Sequence, residues 1–221
     1  MRDIALSPSQ SETQTEAETP RLNRRQAAKV RTRQKVLDAA RQLFAERGYE
    51  PATIRDIAKG AGMSTGAVFA NFQDKAELFE AVLSTDLARL AETMKASADA
   101  EGSVRARVLA ALGSGYHDSL EHLPLVQAVI ARSWFQPVAA EMRTRAAIKP
   151  LLSVITDTLQ AGVREGELSQ DADVRLLGEM IYGAFLANYR HAAYDGWAMA
   201  QLTERMGKQV DVILAGAISR Q

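Results

Sequence analysis

The side chains able to do covalent chemistry are few and badly spaced for it. The histidines are His117, His122 and His191, none at a metal-ligand spacing from carboxylates, and cysteine is absent. No Gly-rich phosphate loop and no Gly-x-Ser-x-Gly turn occurs. These features argue against an enzyme, a metal site and a bound cofactor, and a chain without cysteine has no disulfide, thiol sensor or iron-sulfur cluster. What does stand at a meaningful spacing is hydrogen-bonding chemistry between positions 53 and 75. Thr65, Gly66 and Asn71 suit the base edges of a DNA major groove: a hydroxyl, a backbone free to approach, and an amide able to pair with adenine. Thr53, Arg55, Ser64, Phe69 and Lys75 surround them as candidates for contacts that position the duplex. Each has a plainer role beside it, since Thr53 and Ser64 cap helices and Asn71 can cap a helix end. Lys75 opens a helix, where a cation opposes the dipole and needs a reason such as a phosphate.

The elements that would hold these groups are short helices. A helix-turn-helix needs a small residue inside its first helix, a residue tolerant of positive φ in the turn and a branched apolar residue inside the second. Ala58, Gly62 and Val68 supply them in register, with Ile54, Ile57 and Met63 filling the wedge. Thr53 with Asp56 has capping-box spacing, and Ser64 caps a second helix expected over Thr65 to Asn71. Upstream, Val36, Leu37, Ala40, Leu43 and Phe44 repeat at helical period from about Arg24, and Gly48 supplies a stop. Downstream, a long helix starts near Asp74 and runs through Leu78 to Met94.

The rest of the chain reads as helical too. Patterns over Val104 to Leu120, Leu125 to Phe135 and Leu151 to Val163 are broken at Gly102, Pro124, Pro137 and Gly162 to Gly166. Two long helices close the chain, one from the Asp171-Ala172-Asp173 cluster to about His191 and one from about Trp197 to Ala217. The fold class is all-α: an N-terminal three-helix helix-turn-helix domain over 24–75 and a helical second domain over 76–221, preceded by a disordered tail over 1–23. The start of the chain lacks a basic region followed by a sustained apolar run, and the greasiest stretch, Leu176 to Tyr189, contains Glu179. No signal peptide and no membrane span are expected, and a reducing cytoplasm is the expected location.

Net charge is zero, which taken alone speaks against nucleic-acid binding. Its distribution speaks for it: Asp3, Glu12, Glu16 and Glu18 sit in the tail, whereas Arg21, Arg24, Arg25, Lys29, Arg31, Arg33 and Lys35 form a basic arm without acids. Arg25 and Lys29 of that arm join the candidate DNA contacts.

The stretch Val36-Leu37-Asp38-Ala39-Ala40, Leu43 through Tyr49, Thr53 through Ala58, Ala61 through Ser64, Phe69-Ala70-Asn71-Phe72 and Lys75 through Leu78 resembles the DNA-binding domain of TetR-type regulators. The resemblance covers about a fifth of the chain. It implies a homodimer built through the last two long helices, a helical effector-binding domain, and repression of a palindromic operator relieved by a small ligand. Phe69 departs from the family pattern, where a tyrosine hydroxyl usually touches a phosphate, so one backbone contact is missing.

In the second domain, the penultimate helix offers Val174, Leu177, Ile181, Ala184, Phe185 and Asn188, and the last offers Leu202, Met206, Val210, Ile213, Leu214 and Ala217. Such stripes serve either a dimer or the chain's own core, and Gly183 with Ala187 would permit close approach of a second subunit. Tyr116, His117, His122, Trp134, Phe135, Met142 and Tyr182 are the groups a pocket would use, or else core residues. Together they suggest an apolar or aromatic effector. The competing expectation is a DNA-binding protein of the same fold without a ligand, acting through a protein partner; a closed second core would favour it.

Overall fold

The computed structural model describes residues 24–100 and 102–218. The expected tail over 1–23 and the Arg25 side chain lie outside this description. Among the described residues the regular structure is helical: α1 (Arg24–Arg47), α2 (Ile54–Gly60), α3 (Thr65–Phe69), α4 (Lys75–Ala98), α5 (Val104–Leu120), α6 (Leu123–Ser133), α7 (Val138–Arg164), α8 (Val174–Tyr194) and α9 (Met199–Leu214).

Short side chains start most of these helices by taking an otherwise orphaned N–H. Thr53 Oγ1 accepts from Asp56 N at 3.1 Å, Ser64 Oγ from Ala67 N at 3.2 Å, Asp74 Oδ1 from Glu77 N at 2.8 Å and Asp173 Oδ1 from Leu176 N at 3.0 Å. The α2–α3 turn closes at Gly62, whose φ of 67° a side chain would strain. Met63 N then reaches back to Ala58 O at 2.9 Å.

Two apolar cores result. The first collects Val36, Ala40 and Phe44 of α1, Ile57 and Ala58 of α2, Val68 of α3 and Leu78, Phe79, Val82 and Leu83 of α4. It also takes Leu125 of α6, with Ala128 and Val129 packed against it. The second fills the space among α4, α5, α7, α8 and α9. The expected boundary at 75 therefore falls at the first residue of a helix that serves both cores.

In the second domain three features go beyond the sequence pattern. First, α7 begins at Val138 and runs through Pro150 rather than starting at Leu151. Ala140, Thr144 and Leu151 are buried on one side of it, while Pro150 is exposed; burial along the helix outweighs the missing N–H. Second, Gly162 does not break the helix. A Cβ there would lie 2.7 Å from Val104 Cγ2, so its bare backbone lets α5 cross α7 closely.

Third, the wide stripes of α8 and α9 turn inward. Ile181, Phe185 and Asn188 meet Leu202, Met206, Val210 and Leu214 in the second core. Asn188 holds that seam, donating to Tyr116 Oη at 3.1 Å and Gln209 Oε1 at 2.7 Å and accepting from Arg205 Nε at 3.2 Å. A wide stripe can satisfy one chain's core and still leave an adjacent row free.

Candidate nucleic-acid interface and effector cavity

The first core points one face of α3 inward through Val68 and leaves Thr65, Gly66 and Phe69 exposed on the other. Ser64, Thr53, Arg55 and Lys29 are exposed as well. Thr53 is engaged as a cap in both directions, its hydroxyl donating to Asp56 Oδ2 at 2.7 Å while it accepts from Asp56 N.

Two of the predicted DNA contacts are turned inward. Asn71 lies beyond the end of α3, and its Nδ2 donates to Ala67 O at 2.9 Å, which makes it a C-terminal fastener rather than a reader of adenine. Lys75 has its reason without a phosphate. Its Nζ donates to the carbonyls of Tyr49, Glu50 and Ala52 at 3.0, 3.3 and 3.1 Å and sits 4.1 Å from the Tyr49 ring centroid. An ammonium has three donors, and here three carbonyls of the α1–α2 loop take them.

Three groups outside the predicted DNA contacts support this face. Arg33 donates to Asn71 O at 2.8 Å and lies 4.1 Å from the Phe72 ring centroid, tying the basic arm to the end of α3. The Arg132 guanidinium of α6 lies 4.0 Å from the Tyr49 centroid, so that ring contacts cations from α6 and from α4. Arg41 of α1 pairs with Asp86 of α4 at 2.8 Å. Burial pushes the Asp86 carboxyl up, against the pull of Arg41, Arg89 and His122.

Behind the first core lies a cavity of about 400 Å³ bordered by α4, α5, α6, α7 and α8. Leu83, Leu87, Leu125 and Val129 line it and also belong to, or pack against, the first core. Of the expected ligand residues it brings in Trp134 and Tyr182, together with His122. The Tyr182 hydroxyl is pushed up to about 12 by burial.

The other four lie elsewhere. Tyr116 is 0 % exposed and donates to Phe185 O at 3.2 Å, a core role that follows from its place on the inner face of α5. His117, one position further round the helix, is exposed. Phe135 is 92 % exposed because α6 ends at Ser133 and the following turn carries it outward, and Met142 is 66 % exposed on the side of α7 opposite the buried Ala140 and Thr144.

Among the described residues no group of three or more His, Cys, Asp or Glu could hold a metal, and no helix is long and apolar enough to cross a membrane.

A capped helix-turn-helix with an exposed second helix, backed by a helical domain holding a largely apolar cavity, defines a class: helix-turn-helix regulators with a separate helical domain. Residues 36–82 match the family described as bacterial regulatory proteins, tetR family. That match lies on α1 to α4, the helix-turn-helix and the start of the helix that follows it.

It is 49% identical over 65 residues to the transcriptional repressor AcnR of Corynebacterium efficiens, covering 29% of this chain and 35% of that protein. The chain thus spans about a third of the length of the AcnR relatives it matches. It is 29% identical over 201 residues to the repressor KstR2 of Mycobacterium tuberculosis, covering 89% of this chain and 98% of that one. In fold it is similar to FadR of Bacillus subtilis, solved in complex with stearoyl-CoA, with a TM-score of 0.71 at 18% identity, covering 83% of this chain and 98% of that one.

Proposed function

We propose that this protein is a homodimeric, cytoplasmic transcriptional repressor, not an enzyme, that binds a palindromic operator through α3 and is released by a small apolar or aromatic effector. The observation that carries this reading is the exposed α3 surface of Thr65, Gly66 and Phe69, raised on a buried Val68, with Arg55 and Lys29 exposed on the same domain. Thr65 and Gly66 sit at the N-terminus of α3, the end that enters the major groove in this motif. That AcnR and KstR2 are named repressors supports the direction of control.

A dimer is supported by what α8 leaves uncovered. Leu176, Met180, Gly183, Ala187 and Tyr194 form an exposed row at spacings of four, three, four and seven, and a Cβ on Gly183 would meet nothing within 4 Å. Val212 of α9 is exposed too. A row of this kind is the seam along which two helices pack, and a two-fold partner doubles the reading heads for a palindrome.

The cavity supports the ligand-responsive reading over a partner-only regulator, and the FadR complex with stearoyl-CoA shows that a related fold holds a long apolar chain. Coupling follows from shared walls. Leu83 and Leu87 on α4, and Leu125 and Val129 on α6, face both the cavity and the DNA-reading core, so an occupant that moves them moves α3. An effector favouring the released state by a few kcal/mol suffices, and the operator weakens effector binding by the same factor.

The test is a salt titration of binding to the duplex flanking its own gene beside random duplex of equal length. A large specificity ratio, lost in Thr65→Ala, is the expected result; equal weak binding to both duplexes would refute site-specific repression.

A further inference from the structure

The charged groups of the cavity gather at one end. His122 precedes α6 and Trp134 follows it, so the two stand about 18 Å apart at 1.5 Å per residue. Toward Trp134 the lining is mostly aliphatic and aromatic, with Ile130, Ile148 and Tyr182. Toward His122 it gathers Asp86, Asp118, Arg89 and Arg190. Arg190 borders the cavity one residue past Tyr189, whose ring packs on Tyr116 of α5, two residues from Asp118.

These charges do not balance. Asp86 is paired with Arg41 at 2.8 Å and Asp118 with Arg89 at 3.3 Å, which spends both carboxylates. Arg190 borders the cavity, lies 5.5 Å from the Tyr194 ring centroid and has no ion pair among the described residues. A neutral occupant leaves Arg190, exposed at the rim of the cavity, to water alone, whereas an anion accepts charge-assisted hydrogen bonds from the guanidinium.

We infer that the cavity takes an anionic amphiphile, an apolar chain lying along α6 with a carboxylate or phosphate head at Arg190. This rests on the ligand-responsive reading above and adds the chemistry of the head group. The chain end would run toward Trp134, which is 81 % exposed at the cavity's border and is covered when the trough fills. Head and tail make separate contributions: apolar burial sets the affinity common to any ligand of that length, and Arg190 sets the preference among head groups.

The experiment uses the full-length protein carrying Trp197→Phe, which leaves Trp134 as the one tryptophan. Its fluorescence is titrated with dodecanoate, dodecyl phosphate, 1-dodecanol and dodecyltrimethylammonium below their micellar concentrations. The expected result is anionic probes binding on the order of tenfold or more tighter than the alcohol, with the cationic probe weakest. Arg190→Gln brings anion and alcohol to near equality while leaving the alcohol unchanged. The carboxylate and phosphate arms separate the two head-group sources.

Equal binding of anion and alcohol by the native protein overturns the inference and leaves the ligand-responsive reading standing. No response to any probe overturns both. If Arg190→Gln dissociates the dimer in sedimentation yet keeps the anion preference, Arg190 belongs to the subunit seam and the inference fails.

Discussion

Replacing Lys75 by methionine separates two roles that look alike in a sequence. A lysine beside a helix-turn-helix invites a phosphate, but its ammonium here holds three carbonyls and a ring. Methionine keeps most of the stem and removes the charge. Each charge-assisted hydrogen bond is worth about 1.5–3 kcal/mol net when well desolvated, and this site is only half-buried, with Glu50 open to water that can replace one partner. With the ring contact at the lower end of its range, the loss is about 2–3 kcal/mol of stability. For a chain of this size that is about 5–10 °C in Tm. The assay is thermal unfolding beside the salt dependence of operator binding. A purely internal lysine leaves the slope of log K against log salt unchanged, while a phosphate contact contributes about 0.9 per subunit to it. Lys29→Gln, on the exposed arm, serves as the contrast and should lower the slope. If Lys75→Met is as stable as the parent and its slope falls by about 1.8 for the dimer, the three-carbonyl account is wrong and the lysine faces DNA.

Two further outcomes follow from the interdomain contacts. A double-mutant cycle of Arg132→Gln with Tyr49→Leu, read by urea denaturation, should return a coupling of about 0.5–1.5 kcal/mol, and a coupling near zero would remove α6 from the path between cavity and reading head. Asp86 makes a prediction with a definite sign. Its folded pKa is raised from 3.8 chiefly by burial, so its contribution is fully present below 3.8 and is lost as pH rises through the folded value. Relative to Asp86→Asn, the parent should therefore lose stability between acid and neutral pH; a gain over that range would mean the Arg41 pair outweighs the desolvation.

The sequence by itself determined what depends on near neighbours. Thr53, Ser64, Asp74 and Asp173 cap helices through an N–H three residues on, and Ala58, Gly62 and Val68 shape one turn within eleven positions of chain. These interactions are encoded by spacing, so the helix-turn-helix and the all-helical class were legible. Tertiary structure decided what depends on which neighbour arrives. Lys75 reads as a free cation until the Tyr49 loop, 26 residues earlier, closes over it; Arg33 finds Asn71 at a separation of 38. The apolar periods of α8 and α9 were visible, yet the period alone does not say whether the partners are α7 and α5 of the same chain or another subunit. The sequence pattern began only at Leu151, whereas burial of Ala140, Thr144 and Leu151 carries the helix from Val138 through Pro150. The cavity was the least legible feature. Its lining comes from five helices, and a residue's side of a helix decides between core, as for Tyr116, and solvent, as for His117. That choice is set by packing, where one step of about 100° around a helix moves a side chain from one environment to the other.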